Sequence, residues 1–214
     1  MAIDKLIIFG GSFNPIHNGH LKSAAVINKI LEAPVFFLPN IVPPYKSKLT
    51  ATPIQRLEML QLAIKSNPNF AVNTLELFAD EYYYTHKTLT LLRSQYGSKV
   101  PFYFILGFDS LINLNTWEYY HDIFNLTNLI VINRHGYNYN DISDTKLKQE
   151  ILNRQTNNFE QTAISGNIYL LSPDIYYDVS STQIRAMIKA GENIVNLVPP
   201  EVALYIKNNN LYLT

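Results

Sequence analysis

The sequence contains no cysteine. That excludes disulfides, a thiolate nucleophile and cysteine-ligated zinc. It also lacks an excess of charge of either sign, since 17 Lys and Arg residues balance 17 Asp and Glu residues. Nucleic-acid-binding chains usually carry a basic excess, so no nucleic-acid partner is expected, although a local basic pocket for a nucleotide is still compatible. Long apolar runs are missing as well; the longest fall far short of the ~20 residues that span a bilayer. No basic segment followed by an apolar one opens the sequence, so no signal peptide and no membrane partner are expected, and a cytoplasmic location is the default. Glycine is sparse, with eight residues in 214, and tryptophan occurs once. Apolar residues nevertheless make up 47% of the chain, enough for a full core. The length suits one substantial α/β domain over residues 1–214.

Three of the scarce glycines fall in one stretch, Gly10-Gly11-Ser12-Phe13-Asn14-Pro15-Ile16-His17-Asn18-Gly19-His20. It follows the apolar run Leu6–Phe9, which reads as a buried strand. Leu21, Ala24, Ala25, Ile27, Ile30 and Leu31 behind it read as a helix. A helix start offers unpaired N–H groups and partial positive charge, both suited to phosphate. Gly10 and Gly11 would let backbone amides approach a ligand, and His17 and His20 would each add a ring N–H. The spacing matches neither a Walker loop nor G-x-G-x-x-G. Two histidines three residues apart could also bind a metal, but no third ligand shares their local spacing, so no protein-bound metal is expected.

Further along, strands are expected at Val35–Leu38, Phe70–Leu77, Phe102–Leu106, Leu129–Ile132 and Ile168–Leu171. Helices are expected from Pro53, with an apolar face of Leu57, Leu60, Ala63 and Ile64, and then over Thr85–Tyr96, Ser181–Ala190 and Glu201–Lys207. Pro43-Pro44-Tyr45-Lys46-Ser47-Lys48 reads as a loop. Residues 134–167 are polar and Asn-rich, with one weakly apolar helical pattern near Asp144–Arg154, and read as an exposed insertion or flap. Alternating strands and helices imply a doubly wound parallel sheet, with any ligand outside the carboxyl ends of its strands.

Other segments fall on the same sheet edge. Ser180-Ser181-Thr182-Gln183-Ile184-Arg185 opens a helix with three hydroxyls, and Arg185 lies one turn in, which suggests a second phosphate cradle. Ser180 or Ser181 would also serve as an N-cap. Asp109, after Gly107, could accept from a ribose or cap the next helix. Trp117 offers a flat face for a heterocycle, or could simply fill the core. Lys46 and Arg134 could reach a phosphate as cations.

These blocks, in this order, resemble the bacterial nicotinate-nucleotide adenylyltransferases of the HxGH nucleotidyltransferase superfamily. The resemblance rests on Gly10–Pro15 leading into His17-Asn18-Gly19-His20, on Pro43-Pro44-Tyr45-Lys46, and on Glu76 with Tyr84-Thr85 and Thr88-Leu89. It also rests on Gly107, Asp109, Leu111, Leu114 and Trp117, and on Ser180–Arg185. Asn14, Tyr45 and Lys87 depart from the family's usual Asp, His and Asp. The resemblance implies a Rossmann-like fold with a small C-terminal helical part, and adenylyl transfer from ATP, brought with Mg²⁺, to nicotinate mononucleotide in NAD biosynthesis. It implies His17, His20 and Arg185 as catalytic. ATP would be held by those three with Gly10, Gly11, Ser12, Phe13, Gly107, Asp109, Ser180 and Ser181. The mononucleotide would meet Lys46, Thr85, Trp117 and Arg134. The alternatives are a sister adenylyltransferase, with a phosphopantetheine or nicotinamide mononucleotide acceptor, and a non-catalytic nucleotide-binding module.

Overall fold

The computed structural model describes residues 3–41, 50–81, 83–133, 139–160, 163–171 and 179–213. Among them six strands form one sheet: β1 (Leu6–Gly11), β2 (Val35–Pro39), β3 (Phe70–Val72), β4 (Phe102–Gly107), β5 (Asn128–Ile132) and β6 (Ile168–Leu170). Their order is β3-β2-β1-β4-β5-β6, and every pair is parallel. The central strands are buried on both faces, so they read as continuous apolar runs with no alternation. The connections reverse direction between β1 and β4, and this switch point opens the crevice where open α/β sheets bind ligands.

Two apolar layers cover the sheet. One gathers α1 (Asn18–Leu31), α2 (Pro53–Ile64) and the C-terminal helices α7 (Ser181–Lys189) and α8 (Pro200–Asn208). The other gathers α3 (Thr85–Tyr96), α4 (Phe108–Leu111), α5 (Tyr120–Leu126) and α6 (Thr145–Arg154). The expected C-terminal helical part is therefore packed onto the core, with Val202 and Ile206 of α8 buried there.

The structure corrects three expectations. The strand begun at Phe70 ends at Val72, not Leu77, because the Asn73 side chain accepts from Leu75 N–H and turns the chain. The buried face of α2 is Arg56, Met59, Leu60 and Ile64, which brings in an arginine and leaves Leu57 and Ala63 only half-buried. The helix within the expected 134–167 insertion is a packed crossover element. Leu147 and Ile151 are buried in the second layer, Asp144 caps α6, and its Oδ2 accepts from Asn115 Nδ2 at 3.0 Å. The Pro43–Lys48 loop, with Tyr45 and Lys46, and Arg134 lie outside the described residues.

Candidate active site

Strand β1 delivers Gly10 and Gly11 to the switch point. A Cβ on Gly10 would sit 2.6 Å from the Phe104 ring of β4, and one on Gly11 would sit 3.1 Å from the Phe13 ring. The room these glycines leave is therefore taken up by aromatic packing. Phe13 follows at φ 45°, a left-handed conformation that costs a bulky residue about 1–3 kcal/mol and needs support from its surroundings. Its ring is buried among Phe9, Phe37 and His20, so only its backbone remains for the ATP contact expected of it.

His17 is the N-cap of α1 and His20 its third residue. They form a capping box from two imidazoles: His17 N–H donates to His20 Nδ1 at 3.3 Å, and His20 N–H donates to His17 Nδ1 at 3.4 Å. The rings stack with centroids 3.6 Å apart. A neutral imidazole carries one proton, and here both Nδ1 atoms accept. The proton of each neutral ring therefore lies on Nε2. Asn18 N–H is also engaged, donating to Leu197 O at 2.8 Å. The first-turn amides expected to be bare are thus partly committed within the fold, and the imidazoles become the donors to consider.

The second hydroxyl-rich segment meets the first directly. Ser180 caps α7, accepting from Gln183 N–H at 3.1 Å, and its own proton is left to donate. Ser181 Oγ donates to Pro15 O at 2.9 Å. Arg185 Nη1 donates to Asn14 O at 2.8 Å, and Nη2 donates to Thr182 Oγ1 at 3.2 Å. Two of its five donors are spent, and three are left for a ligand.

Sequence reasoning missed two residues on this turn. Arg56 of α2 is fully buried and donates from Nη1 to Ser12 O at 2.8 Å. Burial lowers its pKa to about 10. Tyr212 donates to Asn14 Oδ1 at 2.8 Å. Arginine is ordinarily assigned to the solvent side of a helix, yet Arg56, Leu60 and Ile64 are spaced by four and share a stripe. That spacing was the available signal for Arg56; Tyr212 had none.

Across the switch point, Gly107 ends β4 and occupies the N-cap position of α4, so Asp109 lies in the helix's first turn and is not its cap. Trp117 is half-buried and packs against the second apolar layer. Thr85 opens α3, whose start has no side-chain cap hydrogen bond. The His86 and Tyr119 rings lie 5.0 Å apart, bringing the Thr85 and Trp117 segments together. Lys87, on the exposed side, pairs with Glu81.

Thr88 Oγ1 donates to the buried Glu76 at 2.6 Å, tying the β3–α3 connection to α3. Burial pushes the Glu76 carboxyl up to about 7, against the opposing pull of that hydroxyl. The folded state therefore holds a proton that the unfolded chain releases above the ordinary value of 4.5. Stability should fall as pH rises from about 4.5 to about 7, by something on the order of 3 kcal/mol. Glu76→Gln is expected to raise the melting temperature above wild type at pH 8 and to match it closely at pH 4. Parallel melting curves at the two pH values would refute this.

Comparison with known proteins follows the same lines. The cytidylyltransferase-like family profile matches residues 8–187. A Klebsiella pneumoniae (strain 342) protein named "Probable nicotinate-nucleotide adenylyltransferase" is 37% identical over 209 residues, covering 96% of this chain and 95% of its own. A Shigella boydii relative of the same name is 36% identical over 208 residues, covering 96% and 97%. Among solved structures, the Plasmodium falciparum nicotinic acid mononucleotide adenylyltransferase complexed with NaAD superposes with a TM-score of 0.73 at 21% identity. It covers 98% of this chain and 97% of its own, and it bears on the fold. At this identity and over nearly its whole length, the chain belongs to the nicotinate-nucleotide adenylyltransferase family of cytidylyltransferase-like enzymes.

Proposed function

We propose that the protein transfers the adenylyl group of ATP to nicotinate mononucleotide, forming nicotinate adenine dinucleotide and releasing pyrophosphate. The observation that carries this most directly is the meeting of the Gly10–His20 and Ser180–Arg185 segments at the β1/β4 switch point, through Ser181 to Pro15 O and Arg185 to Asn14 O.

The reaction needs alignment more than proton transfer. A phosphate monoester has its second pKa near 6, so at pH 7 the mononucleotide phosphate is already largely dianionic. Its oxygen attacks the α-phosphorus of ATP. The bond from that phosphorus to the bridging oxygen breaks, and the electron pair leaves with pyrophosphate. Catalysis then rests on holding the two phosphates in line and neutralising the charge that develops on the leaving group. His17 and His20 supply Nε2–H donors, Ser180 a hydroxyl, and Arg185 its remaining guanidinium donors. Gly10, Gly11, Ser12 and the Phe13 backbone line the turn, and Gly107 and Asp109 face the nucleoside. ATP arrives as its Mg²⁺ complex. In this reading the cation comes with the substrate, carried by the ATP phosphates.

The acceptor would lie by Thr85 and Trp117, with Lys46 and Arg134 as further cations. An α3 start without a side-chain cap suits a carboxylate, through its partial positive charge and its N–H groups. The acid mononucleotide should therefore be preferred over the amide by roughly tenfold to a hundredfold. The amide would turn an NH₂ toward donors and leave polar groups unpaired at about 1–3 kcal/mol each. Measuring kcat/KM for both mononucleotides tests this, and equal values would refute acid preference. Trp117→Ala should raise KM for both while leaving ATP binding nearly intact; an unchanged KM would return Trp117 to a packing role.

A further inference from the structure

The turn at 12–15 carries a left-handed Phe13, and three of its backbone carbonyls are held by residues distant in sequence. Arg56 takes Ser12 O, Arg185 takes Asn14 O and Ser181 takes Pro15 O. The fourth hold is different, because it grips a side chain. Asn14 is 2% exposed, and its Oδ1 accepts from the Tyr212 phenol at 2.8 Å, while its Nδ2 makes only a long 3.5 Å contact with Thr50. Tyr212 is itself 5% exposed and left-handed, at φ 67°. A bulky residue is thus held in an unfavourable backbone conformation at the place where its hydroxyl meets Asn14.

We propose that Tyr212 is a positioning residue, whose hydroxyl fixes Asn14 and thereby the turn that aims His17 and His20 at the nucleotide. Tyr212 need not touch substrate for this. Its bond sets where the backbone two residues beyond Pro15 enters the histidine pair. The inference rests on the proposed adenylyl transfer for its kinetic readout, and on ATP binding alone for a second one.

Tyr212→Phe removes one oxygen and keeps the ring in place. Because small misplacements of reacting groups carry large rate penalties, kcat should fall about tenfold. The Kd for Mg-ATP, measured by titration calorimetry, should rise about fivefold, and KM for the mononucleotide, bound across the switch point, should stay within about twofold. Asn14→Leu should show the same split, and the double variant should be no worse than the poorer single one, since both remove one bond. A merely structural bond would lower the melting temperature and leave this split unmoved in the folded protein. A Tyr212→Phe enzyme with kcat and ATP affinity like wild type would overturn the proposal, as would additive losses in the double variant. If wild type releases no pyrophosphate with either mononucleotide, the proposed function fails. The calorimetric ATP affinity then decides the role of Tyr212, a weakened Kd supporting it and an unchanged one overturning it.

Discussion

His20→Asn is expected to lose about 10²–10³ in kcat while the protein stays folded, the cost of removing one preorganised donor to developing charge. Asparagine suits the test better than alanine. The His20 ring has two jobs, since Nδ1 accepts from His17 N–H at the start of α1 and Nε2 holds the proton. An asparagine Oδ1 can take over the first, as short polar side chains do at helix starts, but nothing in it reaches as far as Nε2–H. Pyrophosphate release beside a far-ultraviolet circular dichroism spectrum separates the two jobs. A folded variant with turnover near wild type would remove His20 from the chemistry.

Arg185→Lys should lose about 10² in kcat/KM for ATP, with the mononucleotide KM little changed. The guanidinium holds Asn14 O with Nη1 and Thr182 Oγ1 with Nη2, and its other donors remain available. An ammonium carries the same charge at a single point, so it cannot hold the turn and grip two phosphate oxygens together. Steady-state kinetics with each substrate varied in turn would show the asymmetry. Unchanged constants for both would make Arg185 a bystander.

Much of this architecture was legible in the sequence. The buried parallel strands announce themselves as apolar runs, and α3 begins at Thr85 and ends at Tyr96 as expected, bounded by Gly97. Failures arose where one polar side chain overrode a local pattern. Asn73 cut β3 short, and Arg56 took a core position on α2 that charge alone would deny it. The helix near 145–154 looked too polar to pack, yet Leu147 and Ile151, one turn apart, suffice to seat it. Within the site, the motif residues could be named one by one. Their mutual contacts could not, because Ser181 to Pro15 and Tyr212 to Asn14 are pairings no local period encodes. The mutual capping of His17 and His20 was likewise hidden, since histidine is not a usual capping residue.

The closure of the turn at 12–15 by residues 181, 185 and 212 also bears on how the protein is made. Chains emerge from the ribosome N-terminal end first, at about 5–20 residues per second. β1 and Arg56, which holds Ser12 O, can leave the tunnel early, but the other three polar anchors of the turn follow only after more than 160 further residues have been synthesised. Contacts of such sequence separation form late, because their loop entropy must be met before they stabilise anything. ATP binding by nascent chains of increasing length should therefore appear abruptly, and only once the segment through residue 212 is free to fold.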